Sequence, residues 1–97
     1  MRVISFQTLS EFWSRYSDAK NALLAWYDDV KIADWKGPAD IKKVYGNASF
    51  VTNNRVIFNI KGNHYRLVVE VQYQLKIVRI RFIGTHADYN RIDTTTI

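Results

Sequence analysis

His86 and Tyr89 stand three residues apart, just after a run of alternating residues that carries Lys61, Arg66, Arg79 and Arg81. An imidazole, a phenol and a row of cations suffice for cleavage of RNA at a phosphodiester. The substrate supplies the nucleophile, its 2′-hydroxyl, and the protein needs a base, an acid and positive charge against the phosphorane. A free imidazole titrates near about 6.5 and exchanges protons at neutral pH, whereas a free phenol titrates near about 10 and is better suited to orienting or assisting. Each residue also has a structural reading. His86 fits a partly buried histidine at a helix start, and Tyr89 a core aromatic on the same helical face. The arginines fit a network with Glu70, Asp88 or Asp93, although those few acids leave a cationic excess. His64 lies in a turn and reads as solvent-exposed.

Other chemistries lack their residues. The chain has no cysteine, which removes disulfides, thiolate nucleophiles and thiolate metal sites. Neither histidine has a second ligand at metal spacing, so no metal or cofactor is expected. There is no nucleophile elbow, no carboxylate pair set for glycoside hydrolysis and no Gly-rich phosphate loop.

Alternation positions the cations. Period two sorts Tyr65, Leu67, Val69 and Val71 from Arg66, Val68 and Glu70. The next strand sorts Val78, Ile80 and Phe82 from Ile77, Arg79, Arg81 and Ile83, and the preceding one sorts Val56, Phe58 and Ile60 from Arg55, Ile57, Asn59 and Lys61. Adjacent strands would therefore offer Lys61, Arg66, Arg79 and Arg81 to one surface.

Upstream, Arg2 to Phe6 alternates as a short strand. Thr8 and Glu11 have capping-box spacing, which predicts a helix from about Leu9 to Tyr16. Helix resumes at Ser17-Asp18, with Ala22, Leu23, Trp26, Tyr27 and Val30 facing inward, until Lys36-Gly37-Pro38 breaks it near Trp35. A short helical turn spans Asp40 to Tyr45 and a strand Ser49 to Thr52. Asn53-Asn54, Gly62-Asn63-His64 and Tyr73-Gln74-Leu75 make the turns of a meander. A last short helix starts at Thr85, capped toward Asp88, and the tail Thr94 to Ile97 frays. Trp13, Trp26 and Trp35 are packing anchors. The fold class is α+β, with an N-terminal strand and helices followed by a mainly antiparallel sheet and a short C-terminal helix.

With 97 residues, 47% of them hydrophobic and 14% aromatic, the chain can bury one core as a single domain, residues 1–97. No apolar run approaches about 18 residues, so a membrane span is not expected and a cytoplasmic protein is. The net charge is +5, and residues 55 to 91 hold seven cations against Glu70 and Asp88. The first half is near neutral and the second basic, which points to a polyanion, with nucleic acid ahead of membrane. The alternative is a merely solvated surface.

The segments DAKNALLAWYDDVKIADWKGPADIKKVYG, VIFNIKGNHYRLVV and IVRIRFIGTHADYNRID closely resemble the HigB-type toxins of the RelE superfamily, over nearly the whole chain and in the same order. The resemblance implies a compact RelE-like fold and ribosome-dependent, metal-independent cleavage of mRNA in the decoding site. It also implies neutralisation by a HigA-type helix-turn-helix antitoxin. Carried onto this chain by position, it assigns Arg81 and Arg66 to the scissile phosphate, His86 and Tyr89 to proton transfer, and Lys61 and Asn63 to the RNA backbone. Arg79, Arg55 and Lys76 complete the expected RNA-binding set. The other reading is a non-catalytic RNA- or ribosome-binding inhibitor of translation, in which His86 and Tyr89 only stack or pack.

Overall fold

Both ends of the chain meet in one sheet. The computed structural model describes residues 1–97. Strand β1 (Arg2–Ile4) leads into α1 (Phe6–Arg15), a 3-10 turn (Ser17–Ala19), α2 (Lys20–Ile32) and α3 (Pro38–Val44). Then follow β2 (Ser49–Val51), β3 (Arg55–Ile60), β4 (Tyr65–Gln72), β5 (Ile77–Thr85) and α4 (His86–Tyr89). The sheet order is β1-β5-β4-β3-β2, with β1 parallel to β5 and every other pair antiparallel. The α+β arrangement expected from the alternation is the one observed.

One face of the sheet is the core. Val56, Phe58 and Ile60 of β3, Leu67, Val69 and Val71 of β4 and Val78 of β5 pack with Leu9, Leu23, Trp26, Val30, Trp35 and Ile41 from the helical half. Phe58 is the centre of its aromatic part, with ring centroids of Trp26 at 5.5 Å and Tyr45 at 5.1 Å. Trp26 and Trp35 are packing anchors in fact, and Trp13 lies partly buried against Phe6.

Helix α1 begins earlier than the capping-box spacing implies. Its N-cap is Ser5, and Thr8 sits inside the first turn without a side-chain cap bond. The Phe6 ring explains this: it packs 4.6 Å from Tyr27 and 5.6 Å from Trp13, and tertiary packing of an aromatic outweighs a cap. Pro38 starts α3 at the first helical position, where its fixed φ suits the helix and no amide is missed. The tail is tied down instead of frayed, because Asn53 Nδ2 donates to Thr95 O at 3.0 Å and Arg55 Nη2 to Ile97 O at 2.6 Å.

The ladder between β4 and β5 is interrupted. Val69 pairs with Ile80 and Val68 with Phe82, which leaves Arg81 unpaired in a β-bulge. A bulge inserts one residue and so reverses the alternation beyond it. Ile83, opposite Leu67, packs on the core, while Phe82 lies opposite Val68, on the face that carries Arg66 and Glu70. The assignment of Phe82 to the apolar face and Ile83 to the cationic one is therefore corrected.

Candidate nucleic-acid interface

The cationic sheet face is built by strand register. Asn59 and Gly84 flank Arg66, while Arg55 and Arg79 flank Glu70. At the α4 end of this face Arg66 holds its guanidinium 5.7 Å from the centre of the Tyr89 ring, within cation–π range. The Asn63 side-chain oxygen accepts from Arg66 Nη1 at 3.3 Å. His86 meets Tyr89 edge to face with ring centroids 6.5 Å apart. Helix α4 exists because Thr85 Oγ1 accepts from the Asp88 amide at 3.2 Å, an N-cap that both expectation and structure place at Thr85. His86 is exposed, and Asn90 Nδ2 lies 3.4 Å from its Nδ1, which leaves Nε2 without a partner.

Arg81 is on the same face but not in this cluster. Its Nε donates to Glu70 Oε1 at 3.1 Å and its Nη2 reaches the same oxygen. Glu70 Oε2 accepts from Gln72 Nε2 at 2.8 Å and lies 3.7 Å from Arg55 Nη1. The Arg81 guanidinium beside Glu70 holds that carboxyl below the usual carboxylate range, against the opposing effect of burial. Arg79, although the register partner of Glu70, makes no salt bridge, and neither does Arg66.

Three of the cations chosen from sequence are not free on this surface, Arg55 by burial and Lys61 and Lys76 by pairing in turns. Arg55 is 8% exposed, its guanidinium held by Asn53 O at 2.8 Å, by Ile97 O and by Glu70. Lys61 opens the β3–β4 turn with a left-handed backbone (φ 51°) and pairs with Asp18 at 3.0 Å. It has therefore left the shared surface. Lys76 sits in the β4–β5 turn, bound to Asp34, and the paired strands put it roughly 24 Å from the His86 end.

Glu70, weighed from sequence as an arginine partner, anchors Arg81 and Arg55, whereas sequence reasoning missed Asn90 beside His86, and Asp18. Asp18 takes hydrogen bonds from Tyr65 Oη and Lys61 Nζ, which hold its carboxyl below the ordinary value. It thereby ties the 3-10 turn to the turn carrying Asn63. The clue for Glu70 was its place as the lone acid on a cationic strand face. For Asp18 no local signal exists, because its partners are more than 40 residues away. No three His, Cys, Asp or Glu side chains converge as a metal site. No helix is long and apolar enough to cross a membrane.

The family described as HigB_toxin, RelE-like toxic component of a toxin-antitoxin system, matches residues 19–92, a span that holds β2 to β5 and α4. The chain belongs to the HigB toxin family. The mRNA interferase toxin HigB of Escherichia coli K12 is 26% identical over 93 residues, covering 93% of this chain and 88% of its own length. The mRNA interferase HigB of Escherichia coli O6:H1 is 23% identical over 94 residues, covering 95% of this chain and 91% of its own. As a HigB-family toxin the chain is one half of a pair, and the family implies an antitoxin as its partner. All the residues of the Arg66, Tyr89 and His86 cluster fall inside the matched span.

Proposed function

We propose that this chain is a ribosome-dependent endoribonuclease that cleaves mRNA by attack of the 2′-hydroxyl on the adjacent phosphate and so arrests translation. The observation that carries the reading is the convergence of Arg66, Tyr89 and His86 at one end of a sheet face on which Arg66 and Arg79 make no salt bridge. The names of the relatives, mRNA interferases, support it.

In this mechanism Arg66 holds the scissile phosphate and opposes the charge that develops on the phosphorane. His86, through Nε2, exchanges the proton, and Tyr89 orients the 2′-hydroxyl. Asn63 fixes Arg66 and meets the RNA backbone, while Arg79 and Arg81 continue the track along the sheet. Arg81, held on Glu70 away from Arg66, works mainly on the neighbouring phosphate. The site of action is the cytoplasm, on translating ribosomes, and the partner that silences it is a HigA-type helix-turn-helix antitoxin.

Primer extension on message from cells producing the chain tests the reading. New 5′ ends in frame with the coding sequence are expected, and they should vanish with Arg66→Ala. Growth arrest without new ends would identify a non-catalytic ribosome-binding inhibitor instead.

A further inference from the structure

The bulge at Arg81 places an aromatic ring where alternation would have put none. Phe82 is partly exposed, lies on the cationic face opposite the fully buried Val68, and follows directly on Arg81. Its ring leans toward the α4 end. The ring's Cζ lies 2.5 Å from where a Cβ at Gly84 would stand, and Gly84 is the register partner of Arg66. The ring thus lies over Gly84, a position that the sequence has cleared of any side chain and that stands beside Arg66 in the register. It is absent from the core cluster and from the residues packed against it.

We infer that Phe82 is a stacking platform for a nucleobase of the RNA, set between the phosphate held at Arg66 and the phosphate track at Arg79 and Arg81. The inference deepens the RNA reading proposed above and rests on it. A flat ring among cations suits single-stranded RNA, because every base offers a π face while the guanidiniums take the backbone on either side. A side chain placed only to cover Val68 would do equally well as leucine. The bulge turns the ring onto the cationic face and the glycine beneath it makes room for it, so a planar apolar surface stands among the arginines.

The test is a cycle between protein and RNA. Binding of a six-nucleotide 2′-O-methyl oligonucleotide is measured for the wild-type chain and for Phe82→Leu, with each base in turn replaced by an abasic site. Phe82→Leu should weaken binding of the intact oligonucleotide about tenfold, within the range measured for base–aromatic stacking. One abasic position should show no further loss on Phe82→Leu, and Phe82→Trp should retain wild-type affinity. Equal affinity of Phe82→Leu and wild type, with both folded by melting curve, overturns the platform. A tenfold loss at every abasic position overturns it too, since the ring then acts on the fold and not on a base. Loss of antitoxin binding with RNA affinity unchanged assigns the ring to a protein partner and also overturns it. Failure of the nuclease reading is seen separately: wild-type chain that leaves message uncut on programmed ribosomes yet shows the abasic coupling keeps the platform and loses the enzyme.

Discussion

Arg66 and Tyr89 face each other across the junction of β4 and α4, guanidinium over ring, with the centroid 5.7 Å from Arg66 Cζ. The contact joins a strand residue to a residue of a four-residue helix that has little stability of its own. It therefore fixes α4, and with it His86, against the sheet. Tyr89→Phe keeps the ring and the contact but removes the hydroxyl, so single-turnover cleavage should fall while the melting curve stays that of wild type. His86→Ala should cost on the order of 10² to 10⁴ in rate, the usual loss of a positioned proton carrier. Wild-type rates in both variants would return the pair to a packing role.

Salt separates the exposed cations from the buried one. Arg79→Ala should reduce the salt slope of RNA binding by roughly 0.7 if it makes one single-strand phosphate contact. Arg55→Met should leave that slope unchanged, because Arg55 is buried on Asn53 O, Ile97 O and Glu70. Its cost, about 1–3 kcal/mol from unpaired buried partners, should appear in chemical denaturation.

Gly84→Ala sets a methyl group against the Phe82 ring, whose Cζ lies 2.5 Å from the Cβ position. The ring must swing away, which should destabilise the chain by about 1–3 kcal/mol, as overpacking does. Phe82→Leu in the same chain should recover most of that loss in urea unfolding, and an equal loss in both backgrounds would place the clash elsewhere.

Acid should weaken the fold through Glu70 and Asp18. Arg81 lowers the Glu70 carboxyl, and Tyr65 and then Lys61 lower that of Asp18. A carboxyl lowered in the folded state contributes stability above its unfolded pKa and loses it as pH falls through the folded value. The loss should therefore begin near pH 4 and deepen below it, and Asp18→Asn with Glu70→Gln should flatten this limb of a stability–pH curve.

At high pH the same contact acts with the opposite sign. Tyr65 is raised to about 12, first by its hydrogen bond to Asp18. A phenol raised on folding stabilises the chain below the unfolded pKa, near 10, and loses that contribution as pH climbs toward 12. Tyr65→Phe should show no such loss in that window when unfolding is followed by fluorescence.

Much of this protein was legible in its residues. The period of two gave the three long strands and the core face as far as Ile80, because alternation depends only on the geometry of the strand itself. Thr85 and Asp88 marked the cap of α4 and so the pairing of His86 with Tyr89, since a cap is a contact across three residues. Lys36-Gly37-Pro38 marked a break, although Pro38 proved to open a helix as well.

The tertiary structure decided the rest. Which face Phe82 and Ile83 take depends on a bulge defined against a partner strand, and the one local sign was a glycine inside a strand pattern. Whether a cation is free depends on acids distant in sequence. Lys61 turned to Asp18, Lys76 to Asp34 and Arg55 to the tail, while Arg66 and Arg79 stayed open. Sequence by itself determines the repeat of the backbone and the chemistry of each side chain, which are local properties. Register and ion pairing are settled only when strands and turns some 10 to 40 residues apart meet, because both are relations between segments and belong to neither alone.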